Sequence, residues 1–233
     1  MKKIVLLLVV LVVCSPVFAQ KDTTIEQIVK ENQIQTRIDS VGMDLLNCNK
    51  IPKQVVFTYN KREKKKALTT NKALTKRQVI IYDGLYQSVQ TDDELAAMLA
   101  REISIVMKSY SGSWGGRIDA IQVALGSKKF ETVADKRAVD YMVNAGYNPL
   151  ALIVYINKNF PQKRSDKLSR HNLTSKRLAR IYEYITYKYP QYLENNEYVN
   201  NKYYQNFLLT SIENRRLLEE KIKTKSTKGV KYE

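Results

Sequence analysis

The chain has 233 residues, 44% hydrophobic and 27% charged, with 8 glycines and 5 prolines. These proportions exclude a disordered or collagen-like chain and leave room for one domain with a real core. The formal net charge of +16 directs attention to anionic surfaces. Residues 1–19 read as a secretory signal peptide. Lys2 and Lys3 form its positive start, Ile4 to Val13 its apolar run, and Val17-Phe18-Ala19 its cleavage site, ahead of Gln20. The run is too short to span a bilayer as a mature helix. Lipoprotein anchoring through Cys14 is disfavoured, because Val13 stands where such signals carry a small residue. The mature chain is therefore expected in a periplasm or outside the cell. Its anionic partners there would be lipid headgroups, polysaccharide or acidic proteins of the envelope rather than nucleic acid.

Loss of Lys2 and Lys3 with the signal lowers the charge from +16 to +14 and leaves Cys48 as the only cysteine. One cysteine cannot close an internal disulfide, and Cys48 reads as a small buried apolar residue. Next comes a predicted helix over 24–46, capped by Thr24, with Ile25, Ile28, Val29, Ile38, Val41, Leu45 and Leu46 near helical spacing. Gln54 to Tyr59 reads as a strand, the basic run Lys61 to Lys66 as an exposed loop, and Val79 to Tyr82 as a second strand closed by an Asp83-Gly84 turn.

Thr91 and Glu94 have capping-box spacing and open a helix with Leu95, Leu99 and Val106 on its stripe and Met98 beside them. It should end before Gly112. Another helix is predicted from about Lys128 to Ala145, stopped by Gly146, with Asn148-Pro149 starting the next. A loop from Pro161 to Leu173 holds His171, the only histidine. Thr174 should cap a helix through Lys188, ended by Pro190. A last helix is predicted over about 200–223, followed by a frayed basic tail from about 224. No repeat or linker divides residues 20–233, which read as a single domain. The expected fold class is α+β, mostly helical, with a small sheet packed on one side of a helical core.

Three segments carry a resemblance. DDELAAMLAREISIV (Asp92 to Val106), ETVADKRAVDYMVNAGYNP (Glu131 to Pro149) and HNLTSKRLARI (His171 to Ile181) resemble, in that order, the HExxH helix, the ExxAD helix and a following conserved stretch of the zinc metallopeptidases numbered forty-eight, the family of HtpX, the CAAX prenyl protease and BepA. NKALTKRQVIIYDGL (Asn71 to Leu85) looks like that family's strand and turn upstream. The resemblance spans about residues 54–184 and implies a zincin-like helical core.

At the site the chain departs from the family pattern. The HExxH helix presents two zinc-binding histidines and a glutamate that activates the metal-bound water. The matching positions here are Arg101, Glu102 and Ile105. The resemblance gives Glu102 the place of the general base, in vestigial form. Glu131 takes the third ligand position, Asp135 that of the second acid of ExxAD, and His171 that of a histidine near the metal. Arginine has no acceptor atom and isoleucine no lone pair, so neither can bind a cation.

The mature composition leads to the same point without the family. A catalytic zinc needs about three protein ligands, and the chain offers one histidine and, after processing, one cysteine, far apart in sequence. No D-x-D-x-D-G calcium loop is present. Ser113 in SGSWGG does not form a G-x-S-x-G elbow, and an isolated Cys48 paired with His171 has no supporting spacing. Glu102 shares the apolar side of its helix with Leu95, Met98 and Val106, and a carboxylate so placed needs a partner.

The expected function is accordingly non-enzymatic: an exported pseudo-peptidase without a metal cofactor. It would bind a peptide, a protein partner or the envelope surface through the former active-site cleft or a basic face. An active zinc metalloendopeptidase with an altered site is the alternative. The guanidinium of Arg101 is expected to enter the acid cluster and pair with Glu131 in place of the metal.

Overall fold

The computed structural model describes residues 2–51, 55–62, 68–71, 78–108, 127–162 and 172–233. The first helix, α1 (Lys2–Cys48), begins far ahead of the predicted start. No glycine or proline stands between Ala19 and Thr24, so nothing local stops the helix there, and Thr24 lies inside it. Ile34, Ile38, Val41 and Leu45 recur at spacings of four and three and are buried. Cys48 is exposed, against expectation. It is in phase with that stripe, but burial in the last turn falls on Leu45 and Leu46.

The end of α1 is built like a glycine stop without the glycine. Lys50 N–H donates to Asn47 O and Ile51 N–H to Leu46 O, each at 3.0 Å, with Lys50 at φ 49°. This paired pattern is usually closed by glycine in the left-handed region.

Three strands follow: β1 (Val56–Asn60), β2 (Leu68–Asn71) and β3 (Gln78–Tyr82). They form one sheet in the order β1-β3-β2. β1 runs parallel to β3 with Phe57 opposite Val79, and β2 runs antiparallel to β3 with Thr69 opposite Ile80. β2 has no counterpart among the predicted strands, because LTTN is too short to show alternation. Phe57, Val79 and Ile81 are buried. The Phe57 ring lies against Gly42 of α1 so closely that a β-carbon at 42 would collide with it. Asp83 and Gly84 do not form the predicted turn. They open a short helix, α2 (Asp83–Tyr86), because Asp83 O accepts a helical bond from Gln87 N–H at 2.9 Å.

The centre of the fold is α3 (Asp92–Lys108). Leu95 to Ala100 are all buried, a helix covered on every side rather than along one stripe. It packs between α1, α4 (Ser127–Asn144) and α5 (Leu150–Asn159). Only half of the predicted capping box is formed as such. Thr91 Oγ1 accepts from Glu94 N–H at 3.2 Å, while the Glu94 carboxylate accepts from Gln90 N–H at 3.1 Å, one residue before the cap. Gly146, at φ 80°, closes α4 with Gly146 N–H to Val143 O and Tyr147 N–H to Met142 O. Asn148 Oδ1 accepts from Leu150 N–H at 3.0 Å and so starts α5 as predicted.

α6 (Thr174–Lys188) packs on α4 and α5. The hydroxyl of Thr174 does not cap it. That hydroxyl donates to Phe160 O and Pro161 O at 3.2 and 3.3 Å, and Ser175 N–H is taken by Gln162 Oε1 at 2.8 Å. A cap was thus supplied from the neighbouring segment, which freed Thr174 to fasten the end of α5 to the start of α6. After the short α7 (Gln191–Glu194), the single helix predicted over 200–223 is two: α8 (Lys202–Thr210) and α9 (Ile212–Lys223), broken at Ser211. Thr210 Oγ1 donates to Asn206 O at 2.9 Å, the kind of local bond by which Ser and Thr compete with helix continuation. The basic tail is not frayed. Tyr232 is buried, and Asn214 pairs with both the N–H and the carbonyl of Glu233 at 3.1 Å. Among the described residues, no helix is long and apolar enough to cross a membrane.

Candidate functional site

Helical spacing fixes what each element delivers. Arg101 and Glu102 lie on α3. Glu131 and Asp135, four apart, lie on one face of α4. The start of α6 brings Asn172 and Arg177, and the end of α5 brings Phe160. Arg177, Glu131, Asp135 and Glu102 are buried, with the Arg177 side chain 3% exposed.

Arg101 enters the acid cluster, as expected, but its main partners differ from the one expected. Its Nη1 bonds Glu102 Oε1 at 2.8 Å and its Nε reaches Asp135 Oδ1 at 3.3 Å. Its Nη2 lies 3.9 Å from Glu131 Oε1, the longest of the three contacts. The closer partner of Asp135 is Arg177, which donates from Nε to Oδ2 and from Nη2 to Oδ1, both at 2.9 Å. Arg177 Nη1 also stands 3.5 Å from Glu131 Oε1. Glu131 Oε2 accepts from the backbone N–H of Asn172 at 2.9 Å and from its Nδ2 at 3.1 Å. Asn172 Oδ1 in turn accepts from Arg180 Nη1 at 3.0 Å.

Both guanidiniums also lie near the ring of Phe160, with carbon-to-centroid distances of 5.5 Å for Arg101 and 5.0 Å for Arg177. Burial alone would lower the pKa of Arg101. The carboxylates of Glu102, Asp135 and Glu131 outweigh it and leave the pKa raised, so the group is a permanent cation. The Tyr155 phenol is pushed up by burial first and by Glu102 second, with both arginines opposing.

Beside this lattice opens a cavity of about 270 Å³, lined by Arg101, Arg177, Glu131, Asn172, Thr174, Phe160 and Pro161. Four of the residues singled out in the sequence (Arg101, Glu102, Glu131 and Asp135) therefore meet in space. Ile105 is half-buried one turn beyond Arg101. His171 lies outside the described residues.

Sequence reasoning missed Arg177, Asn172 and Phe160. A signal for Arg177 existed: three buried carboxylates cannot be balanced by one arginine, and a buried charge needs a partner. No protein-family model, curated protein or solved structure matches the chain.

Proposed function

We propose that this protein is an exported pseudo-peptidase on a zincin-like scaffold, which binds a peptide or protein segment at its former active-site cleft and does not cleave it. The observation that carries this reading is the pair of guanidiniums among the acids. Arg101 and Arg177 supply two positive charges at Glu102, Glu131 and Asp135, the charge a divalent metal would bring. Zinc requires lone pairs from about three protein ligands, and positions 101 and 105 offer none. The residues present do not fit the ion. Glu102 Oε1, Glu131 Oε2 and both Asp135 oxygens accept instead from N–H donors, and an arginine lattice has no means of activating water.

Binding is supported by the cavity that remains open beside the lattice, with fixed polar groups and an aromatic wall, the usual composition of a ligand site. The test is elemental analysis and a casein-type cleavage assay on the purified protein. The expected results are no stoichiometric zinc and no cleavage. About one zinc per chain, lost on Glu131→Gln, would overturn the reading and leave an active metalloendopeptidase in its place.

A further inference from the structure

We infer that the cavity recognises a carboxylate, presented by a peptide, between Arg101 and Arg177. The inference rests on the peptide-binding reading above and names the chemical group that the site selects. Each guanidinium carries five N–H donors. Arg101 commits Nε and Nη1 to Asp135 and Glu102, and Arg177 commits Nε and Nη2 to Asp135. The remaining terminal nitrogens, Nη2 of Arg101 and Nη1 of Arg177, both line up on one oxygen, Glu131 Oε1, at 3.9 and 3.5 Å. Neither contact has the length of a good hydrogen bond. Among the described residues these two nitrogens make no shorter polar contact, and their side chains line the cavity.

The donors are also held in place before any ligand arrives. Each guanidinium is tied to carboxylates and lies against Phe160, so little rotamer freedom remains to be lost on binding. The three charges of Glu102, Glu131 and Asp135 are offset by those of Arg101, Arg177 and nearby Arg180, which bonds Asn172 and Thr132, so an incoming anion meets no net negative charge. The whole chain stands at +16, which favours an incoming negative group over a positive one. A carboxylate brings a single charge and a planar pair of oxygens suited to two guanidinium nitrogens. A phosphate would set about two charges beside Glu131 Oε1. Drug-sized pockets run to roughly 300–1,000 Å³, so a cavity of about 270 Å³ takes one residue and not a folded partner. Phe160 and Pro161 give that residue an apolar wall.

The experiment captures a randomised hexapeptide mixture on the immobilised full chain, once with free C-terminal carboxylates and once amidated, and reads retention by mass spectrometry. Enrichment of free-acid peptides by roughly tenfold, the worth of one charge-assisted pair, supports a chain terminus as the source. Enrichment among amidated peptides for Asp or Glu at one position supports an acidic side chain. Sodium propionate should release bound peptide where sodium chloride at equal ionic strength does not. Arg101→Lys, which keeps the charge and removes the fork, should abolish the preference while the circular dichroism melt stays cooperative. Equal retention of acid and neutral peptides overturns the carboxylate and leaves peptide binding standing. Retention of no peptide at all overturns both.

Discussion

Arg177 grips Asp135 through two parallel hydrogen bonds of 2.9 Å across 42 residues of sequence, with both side chains 3% exposed. This pair joins α4 to α6 at the level of the acid cluster. Removing one partner leaves an uncompensated buried charge, while replacing both by apolar groups does not. Arg177→Met should therefore destabilise by about 3–5 kcal/mol in urea unfolding. The double variant Arg177→Met/Asp135→Leu should lose clearly less than the sum of its single variants. Additive losses would mean that the pair is not coupled.

The contacts of Arg101 differ in length, and their energies should differ in the same order. A double-mutant cycle between Arg101→Met and Glu102→Gln should give a larger coupling than one between Arg101→Met and Glu131→Gln. The first pair sits at 2.8 Å and the second at 3.9 Å. Couplings of about 0.5–3 kcal/mol are the range for residues in contact. A stronger coupling to Glu131 would restore that acid as the principal partner.

Two helix ends provide a matched pair of backbone tests. Lys50 holds φ 49° where its counterpart Gly146 holds φ 80°. Lys50→Gly should raise stability by about 0.5–1 kcal/mol, because it removes left-handed strain. Gly146→Ala should lower it by a similar amount although nothing lies within 4 Å of the added carbon. A thermal melt of each variant measures both, and a Gly146→Ala melt equal to that of the parent would contradict the strain argument.

Buried tyrosines predict an alkaline limit. Burial pushes the Tyr204 phenol from 10.0 up to about 12, and burial likewise raises Tyr155 and Tyr198. A raised folded pKa means that the folded state keeps its proton longer. The contribution is intact below the unfolded value near 10 and is lost as pH climbs towards 12. Stability should be level on this account up to about pH 10 and fall above it. Tyrosinate absorbance should then rise together with loss of helical circular dichroism, whereas full ionisation in a still-folded protein would contradict the burial.

The amino-acid sequence alone determined the features that depend on neighbours in the chain. The spacing of Leu95 to Val106, the Gly146 stop and the Asn148 cap placed α3, α4 and the start of α5, because helix periodicity and end signals are local physics. It also settled the chemistry of positions 101 and 105, since a side chain without a lone pair lacks one in any fold. The tertiary structure decided the rest. It paired Asp135 with Arg177 and set Asn172 on Glu131. It added β2 as the third strand, divided the last helix at Ser211, left Cys48 at the surface and returned the tail to Asn214. Those outcomes turn on which groups meet across tens of residues, and buried ion pairs carry no period along the chain. A single arginine in the acid cluster was foreseeable from its place on the α3 face. The second, Arg177, stands 42 residues beyond Asp135, and only the packing of α6 on α4 brought it to the same carboxylate.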